Sequence, residues 1–298
     1  MTSPKKSILI IGASGYLGQA LYRYFQQTFS GKYLVTGTYY SGLPPGNLEK
    51  LDITSFGELE EVLVRLAPDF IVLAVGDKNV QGCEDDYSRA YDLNTRPVES
   101  IISIISRYGL SSRLIYLSTD YVFDGKTGQY QDSDTPNPTT NYGKTKYLAE
   151  QALIKSGVRF KIVRTAAVMG KGGTFFGWLI QKLKNEKQVS MYDNVFFSPT
   201  PLQFLVEMIG ATLENYESIP QNILHIVGEK RISRYQFALL VSSILKSDVR
   251  IYAEKNLDRS MLFQPDLSMV PSDIINTWRK RDFEDYLKDE ILHAAVYK

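Results

Sequence analysis

Ser7-Ile8-Leu9-Ile10-Ile11-Gly12-Ala13-Ser14-Gly15-Tyr16-Leu17-Gly18 carries an apolar run straight into a turn built on three glycines. Ser7–Ile11 reads as a buried strand, and the helix opened by the turn is predicted over Tyr16–Phe29. The glycines permit a tight turn and let backbone N–H groups approach a pyrophosphate that rests on the helix N-terminus. The spacing Gly-x-x-Gly-x-x-Gly is one residue longer than the Gly-x-Gly-x-x-Gly of the older dinucleotide-binding pattern. Expected dinucleotide contacts are Gly12, Ser14, Gly15, Tyr16, Leu17 and Gly18, with a purely structural turn as the competing reading.

Outward from this turn, short apolar runs alternate with longer amphipathic segments. Strands are predicted at Tyr33–Tyr39, Phe70–Val75, Arg113–Ser118 and Arg159–Arg164, and helices at Ser55–Leu66, Leu93–Tyr108 and Tyr142–Ser156. Gly42–Asn47, with Pro44, Pro45 and Gly46, reads as loop, and Ser55 followed by Glu58 reads as a capping box. Strand–helix alternation implies right-handed crossovers and a parallel sheet covered on both faces. The expected fold is α/β, a Rossmann-type doubly wound parallel sheet over residues 1–165, followed by a smaller C-terminal α/β substrate lobe over 166–298. That lobe is predicted to hold helices at Phe175–Glu186, Leu202–Tyr216, Arg234–Leu245 and Ser272–Lys280, with short strands near Val189–Tyr192 and Ile223–Val227. One of its strands or helices can return to the Rossmann domain.

Composition narrows the chemistry. Among 298 residues, Lys plus Arg number 34 against 33 for Asp plus Glu, so no excess of positive charge points to nucleic acid as a partner. One cysteine, Cys83, excludes an intrachain disulfide, and two histidines, His225 and His293, leave too few ligands for a His/Cys metal site. A Ser-His-Asp machine would depend on one of those two histidines. The expected chemistry uses Tyr, Lys, Ser, Thr or carboxylates, with no metal. The apolar run Ile8–Ile11 is too short for a signal peptide or a membrane span, and the expected location is the cytoplasm.

Asp52, in Leu51-Asp52-Ile53-Thr54, precedes a predicted helix, where its carboxylate can reach an adenine amino group with Ile53 beside it; helix capping is the alternative. The end of the second strand, Thr38-Tyr39-Tyr40-Ser41-Gly42, lacks the carboxylate that holds the ribose 2′-OH of NAD, and it also lacks an Arg or Lys for a 2′-phosphate. The expected cofactor is NADPH or NADH, with NADPH favoured.

Tyr142-Gly143-Lys144-Thr145-Lys146 places Tyr142 and Lys146 on one helical face. A phenol with a pKa of about 10 needs help to exchange protons at neutral pH. A neighbouring ammonium favours the phenolate and supplies that help. Upstream, Ser118-Thr119-Asp120 ends a strand, where ligands of open α/β sheets bind, so Thr119 is expected to hydrogen-bond a substrate carbonyl while Tyr142 delivers its proton.

With these motifs in place, the chain resembles the extended short-chain dehydrogenase/reductase family, and within it the dTDP-4-dehydrorhamnose reductase branch. The resemblance rests on the glycine turn, Leu51–Thr54, Leu117-Ser118-Thr119-Asp120-Tyr121-Val122-Phe123-Asp124-Gly125, Tyr142–Lys146 with Glu150, Phe197-Ser198-Pro199-Thr200 and His225-Ile226-Val227-Gly228. It implies a catalytic Thr119/Tyr142/Lys146 triad, with Tyr142 and Lys146 also touching the cofactor. It further implies small cofactor-facing residues at Ala74 and Val75, and substrate contacts at Thr119, Asp120, Tyr121 and Phe175. The implied activity is NAD(P)H-dependent reduction of the 4-keto group of a nucleotide-linked deoxysugar, as in dTDP-L-rhamnose biosynthesis, with a homodimer as a candidate assembly.

Three departures bear on the substrate. Leu73-Ala74-Val75-Gly76-Asp77-Lys78-Asn79 stands where the family reads close to Asn-Ala-Ala-Ala-Tyr-Thr, Ala167 stands where it places a Trp, and Gln264-Pro265 replaces Arg-Pro. Tyr121 occupies the place of the glutamate used by 4,6-dehydratases, which argues against dehydration. His225 reads as a satisfied core histidine in preference to a base. The competing function is a non-catalytic nicotinamide-binding subunit resembling the methionine adenosyltransferase beta subunit. In the second lobe, Phe175 is expected against the nucleotide base, whereas Phe176, Leu179, Ile180 and Leu183 are expected to form a core stripe and Lys182, Lys184 and Lys187 a solvated face.

Overall fold

In the computed structural model, residues 5–42, 46, 48–257 and 264–296 are described, and the alternation of the sequence becomes a helix-flanked sheet. The chain runs β1 (Lys6–Ile11), α1 (Tyr16–Phe29), β2 (Tyr33–Tyr39), β3 (Glu49–Lys50), α2 (Phe56–Leu66), β4 (Phe70–Leu73), α3 (Val80–Asp85), α4 (Tyr87–Asn94) and α5 (Arg96–Tyr108). Next come β5 (Arg113–Thr119), a 3-10 turn at Asp120–Val122, α6 (Asn141–Lys155), β6 (Arg159–Thr165), β7 (Val168–Met169), α7 (Thr174–Asn185), β8 (Gln188–Tyr192), β9 (Phe196–Phe197) and β10 (Thr200–Pro201). The chain closes with α8 (Leu202–Glu214), β11 (Ile223–His225), β12 (Ile232–Ser233), α9 (Arg234–Leu245), β13 (Arg250–Glu254), α10 (Asp273–Trp278) and α11 (Phe283–Val296).

The main sheet has the order β11-β6-β5-β4-β1-β2-β3, and the pairs β3–β2, β2–β1, β1–β4 and β4–β5 are parallel. The strand order therefore reverses between β1 and β4, the place where doubly wound sheets open a ligand crevice at their carboxyl ends. Leu9 and Ile11 of β1 join Ile71 and Leu73 of β4, Leu114 and Tyr116 of β5, and apolar residues of α2, α5 and α6 in one buried cluster. Ile8 and Ile10 point to the other face by strand alternation and are equally buried, so β1 needs an unbroken apolar run.

Two compact units emerge from the contacts. One comprises 1–122, 138–163 and 210–224, and the other 123–137, 164–209 and 225–298. In the second, Phe176, Leu179, Ile180 and Leu183 of α7 pack with Phe237 and Val241 of α9 and Leu287 and Ile291 of α11, so the predicted α7 stripe is core. The parallel pair β8–β13 borders this cluster. Among the described residues, no helix is long and apolar enough to cross a membrane.

Several elements differ from the sequence reading for local reasons. The helix expected over Leu93–Tyr108 is divided into α4 and α5, with Pro97 in the first turn of α5, where its missing N–H is harmless. The short helices α3 and α4 carry little apolar periodicity and start on the side-chain caps of Asn79 and Asp86. Strand β13 and helix α11 extend the second unit beyond what periodicity suggested. Of the expected loop Gly42–Asn47, Leu43, Pro44, Pro45 and Asn47 lie outside the described residues. Ser55 does cap α2 by accepting from the Glu58 N–H at 3.4 Å, but the Glu58 carboxylate turns to the Asp52 N–H at 2.9 Å, so the expected capping box does not close.

Helix α6 begins on Thr140, a fully buried N-cap whose hydroxyl accepts from the Gly143 N–H at 3.1 Å. Thr140→Ala is expected to lower unfolding free energy by about 1 kcal/mol, read as a reduced midpoint in urea with an unchanged slope.

Candidate active site

The glycine turn is held by contacts that admit no side chain. Gly12 has φ +88, and a Cβ there would meet the Ala74 carbonyl oxygen and the Val75 Cβ at 3.1 Å. The turn therefore lies directly on the segment that follows β4. A Cβ on Gly18 would stand 2.0 Å from the Gly12 carbonyl oxygen, so the helix can begin this close to the strand only with glycine. The Gly12 N–H donates to Thr38 Oγ1 at 3.1 Å and the Gly15 N–H to the Gly12 carbonyl at 3.0 Å. Gly15 caps α1 without a side chain, and no acid occupies the first turn. The end of α1 thus offers N–H donors and the positive end of the helix dipole to an anion. Ser14 and Gly15 are exposed at this edge, Tyr16 and Leu17 are half-buried, and Lys78 holds its ammonium 5.5 Å from the Tyr16 ring centroid. These features fit a dinucleotide pyrophosphate.

Asp52 is engaged in the turn that precedes α2. Its Oδ1 accepts from the Thr54 N–H at 2.9 Å and the Thr54 hydroxyl at 2.7 Å, which fixes the turn before α2, while Ile53 is buried beside it. At the end of β2, Thr38 is spent on the glycine turn and Tyr40 is exposed.

The second half of the site lies where α6 meets the end of β5. A Cβ on Gly143 would stand 2.1 Å from the Tyr121 carbonyl oxygen, so glycine lets α6 pack backbone-to-backbone on the 3-10 turn. That contact brings the Tyr142 ring edge-on to Tyr121, with centroids 5.5 Å apart. Thr119 and Asp120 are both buried, and the Thr119 hydroxyl donates to Asp120 Oδ1 at 2.9 Å while accepting from the Tyr121 N–H at 3.3 Å. One turn along α6, the buried Lys146 donates through Nζ to the Leu117 carbonyl at 2.7 Å and lies 4.2 Å over the Tyr116 ring. Ser118 donates to Glu150 at 2.5 Å behind it. The structure therefore gathers Thr119, Tyr142 and Lys146 at one strand end.

Burial dominates the electrostatics here. It raises the Tyr142 phenol above its ordinary pKa, an effect opposed by hydrogen bonding from Thr119 and reinforced by the charge of Asp120. Burial also pulls Lys146 down to about 7, with Glu150 acting in the opposite direction. The anticipated ammonium–phenol pairing is not formed, because Lys146 is directed at Leu117 and Tyr116.

Asn94 is a site residue that the sequence reading missed. Its side chain accepts from the Asp77 N–H at 2.8 Å and donates to the Asp77 carbonyl at 3.2 Å and Thr145 Oγ1 at 3.1 Å. It pins the segment after β4 to α6. Gly76, with φ +152, passes so close that a Cβ would lie 2.6 Å from Asn94 Oδ1. Nothing in the run Leu93-Asn94-Thr95 marks this asparagine as buried. Cys83 is also buried nearby, its thiol pushed up to about 11 by burial and the neighbouring Asp77 charge.

In the second unit, Phe175 packs on Trp178, Phe197 and Phe237, and the Arg234 guanidinium lies 4.1 Å over both the Phe175 and Phe197 rings. Lys182 pairs with Glu186 at 3.2 Å, and Lys184 bonds the Ala295 carbonyl. His225 is fully buried, its Nδ1 is 3.3 Å from the Val270 carbonyl, and burial with the nearby Arg164 charge pulls it down to about 4. It is a neutral core histidine at physiological pH.

A phosphate cradle at the reversal of strand order, with a Tyr-x-x-x-Lys helix packed on the next strand end, defines an extended short-chain dehydrogenase/reductase. The profile of the RmlD substrate binding domain family matches residues 6–262, and the chain belongs to that family. It is 28% identical over 239 residues to dTDP-4-dehydrorhamnose reductase of Aggregatibacter actinomycetemcomitans, covering 78% of this chain and 77% of the relative. It is also 28% identical over 254 residues to methionine adenosyltransferase 2 subunit beta of Bos taurus, covering 80% and 72%. Among solved structures, a hypothetical dTDP-4-dehydrorhamnose reductase from Sulfolobus tokodaii superposes with a TM-score of 0.80 at 30% identity, covering 93% of this chain and 96% of the other.

Because the Gly18 contact is with backbone, relief requires the turn to open. Gly18→Ala is expected to cost about 1–3 kcal/mol of stability and to weaken dinucleotide binding by about tenfold or more, measured by chemical denaturation and by quenching of protein fluorescence on titration with NADPH.

Proposed function

We propose that the protein is an NAD(P)H-dependent reductase of the 4-keto group of a nucleotide-linked deoxysugar, with a dTDP-4-dehydrorhamnose-type sugar nucleotide as substrate and dTDP-L-rhamnose-type biosynthesis as its setting. The observation that carries this reading is the half-buried Tyr142 at the same strand end as Thr119 and Lys146, its phenol held above its ordinary pKa by desolvation and so still further from ionising at neutral pH. A proton donor for ketone reduction has to arrive protonated, and burial secures that state.

When bound, the reduced nicotinamide supplies the hydride that adds to the keto carbon. Gly12, Ser14, Gly15, Tyr16, Leu17 and Gly18 would hold the pyrophosphate, Asp52 and Ile53 the adenine side, and Ala74 and Val75 the nicotinamide side. As the carbonyl carbon gains hydride, the Tyr142 O–H bond breaks and its proton passes to the carbonyl oxygen, giving the alcohol. The depressed pKa of Lys146 makes it responsive to hydrogen-bond acceptors brought by a ligand, which would favour its ammonium form. NADPH is preferred over NADH because no carboxylate at the end of β2 opposes a 2′-phosphate. Asp120 and Tyr121 would border the sugar, and Phe175 the nucleotide base.

The test is consumption of reduced nicotinamide with a panel of 4-keto-6-deoxy sugar nucleotides. Tight cofactor binding without turnover on any of them would favour the regulatory reading suggested by the methionine adenosyltransferase beta relatives. Tyr142→Phe is expected to lower kcat by about 10²–10⁴-fold with cofactor affinity little changed, since the hydroxyl acts mainly in the transition state. Turnover within about tenfold of wild type would remove Tyr142 from the role of proton donor.

Phe175→Ala is expected to raise KM for the sugar nucleotide more than it lowers kcat, because a stacking contact remote from the keto carbon stabilises ground state and transition state alike. An unchanged KM would place base recognition elsewhere.

A further inference from the structure

Among the described residues, strand β13 is bonded along one edge alone, by its parallel partner β8. The Arg250 N–H donates to the Lys187 carbonyl at 3.1 Å, and the Asp193 N–H donates to the Glu254 carbonyl at 2.9 Å. Those two bonds set the phase of the strand. Arg250, Tyr252 and Glu254 turn their backbone groups to β8, so Ile251 and Ala253 turn theirs outward. Ile251 is half-buried against the α7–α9–α11 cluster, the other residues of β13 are exposed, and Tyr252 shows 47% of its surface. A row of outward N–H and C=O groups is a ready template for another strand, and native edges are blunted by proline, bulges or charges. No proline stands in β13, and its charges, Arg250 and Glu254, are opposite in sign and placed evenly about Tyr252.

An edge with opposite charges at its two ends is complementary to itself when a second copy runs antiparallel. Outward-facing residues come opposite one another in registers centred on Ile251, Tyr252 or Ala253. Centring on Ile251 sets Asp248 against the partner's Glu254, two like charges. Centring on Ala253 sets Arg250 against the partner's Asn256 and forms no ion pair. Centring on Tyr252 sets Arg250 against the partner's Glu254 and Glu254 against the partner's Arg250, with the two tyrosine rings side by side. Ile251 then exchanges backbone hydrogen bonds with the partner's Ala253, and Ala253 with the partner's Ile251. The same register covers features at both ends of the strand. Leu257, 84% exposed, is kept in line with β13 because the Asn256 N–H donates to Asn194 Oδ1 at 2.8 Å and Asn194 Nδ2 to the Asn256 carbonyl at 3.0 Å. At the other end lies a cavity of about 550 Å³, lined by apolar Leu183, Leu245, Val249 and Ala295 and by Ser247, with charged side chains beside them. Counted outward from Tyr252, Leu257 falls opposite the partner's Ser247, at the apolar wall of that cavity.

We propose that β13 is the docking surface for a second copy of this chain, paired antiparallel about a two-fold axis at Tyr252, so that the β8–β13 sheets of two copies join into one. The contact is isologous: each copy supplies the same edge, the same pair of charges and the same leucine. It is also small, so the dimer is reversible and its population follows concentration. The inference uses no residue of the proposed reductase site and stands apart from that reading.

The experiment is sedimentation of the full chain over a concentration series, which reads the monomer–dimer constant. Arg250→Glu and Glu254→Arg are each expected to weaken dimerisation by about tenfold or more, because each turns both ion pairs into like-charge pairs. The double variant restores opposite charges across the axis and should return the constant to within about threefold of wild type. A general structural defect would not be repaired by the second substitution. Covalent capture gives an independent readout, since the chain's one native cysteine, Cys83, is buried. In a non-hydrogen-bonded antiparallel pair the Cα atoms stand about 4.5 Å apart, within disulfide reach. Tyr252→Cys should therefore form a covalent dimer with oxidised glutathione. Ser190→Cys, on β8 at the position paired with Tyr252, lies one strand further from the axis and should not. A wild-type chain that stays monomeric at every concentration would overturn the proposal and leave the edge to a strand of another protein. A double variant as weak as the single ones, or Ser190→Cys crosslinking as readily as Tyr252→Cys, would overturn it too.

Discussion

Close backbone approach at Gly143 is the constraint on which the clustering of Thr119, Tyr142 and Lys146 depends. A side chain there would collide with the Tyr121 carbonyl oxygen, so only glycine lets α6 settle on the 3-10 turn after β5. Once seated, α6 has Tyr142 against Tyr121 in its first turn, and Lys146 reaches the Leu117 carbonyl from the next. The same device recurs at the other half of the site, where Gly18 abuts Gly12 and brings the start of α1 against β1. Two carbonyl oxygens, each facing a missing Cβ, thus set the two helices that the proposed chemistry uses. Both helices start at carboxyl ends of sheet strands, where their N-terminal dipoles face a ligand.

Desolvation then does more than charge pairing to tune the groups so placed. It raises the proton affinity of Tyr142 and lowers that of Lys146, because in each case the charged form is the one that burial penalises. Pairing an ammonium with the phenol would act against this effect, yet Lys146 is turned to a carbonyl and a ring face. The proton inventory is consequently weighted to a neutral phenol beside an amine near its midpoint at neutral pH. Such a site suits a donor that must deliver a proton and a lysine whose charge responds to what binds. Asn94 adds mechanical coupling, tying the segment after β4 to α6 through Asp77 and Thr145.

The second unit is organised by aromatic packing. Phe175, Phe176, Phe197 and Phe237 interlock, with Arg234 over two of the rings. Phe175 is therefore a ring already supported on several sides, and a base stacked on it would meet a surface of fixed orientation. The lysines of α7 are engaged in surface contacts with Glu186 and the Ala295 carbonyl, in keeping with a solvated face.

Sequence alone determined the alternating architecture, the glycine turn and the Tyr142/Lys146 helix, because each depends on local rules: strand and helix periodicity, turn stereochemistry and the four-residue repeat of a helical face. It determined α1, β2 and α9 to the residue. It left open the helices α3 and α4, whose starts rest on the polar caps Asn79 and Asp86 and not on an apolar stripe. Only the tertiary structure decided which polar groups face one another: that the Glu58 carboxylate accepts from the Asp52 N–H and not from the Ser55 N–H, that Asn94 is buried, and that the Thr119 hydroxyl donates to Asp120. The reason is physical. Hydrogen-bond partners brought together by packing are far apart in sequence or compete at short range, and burial, which shifts Tyr142 and Lys146, belongs to the assembled core and to no single segment.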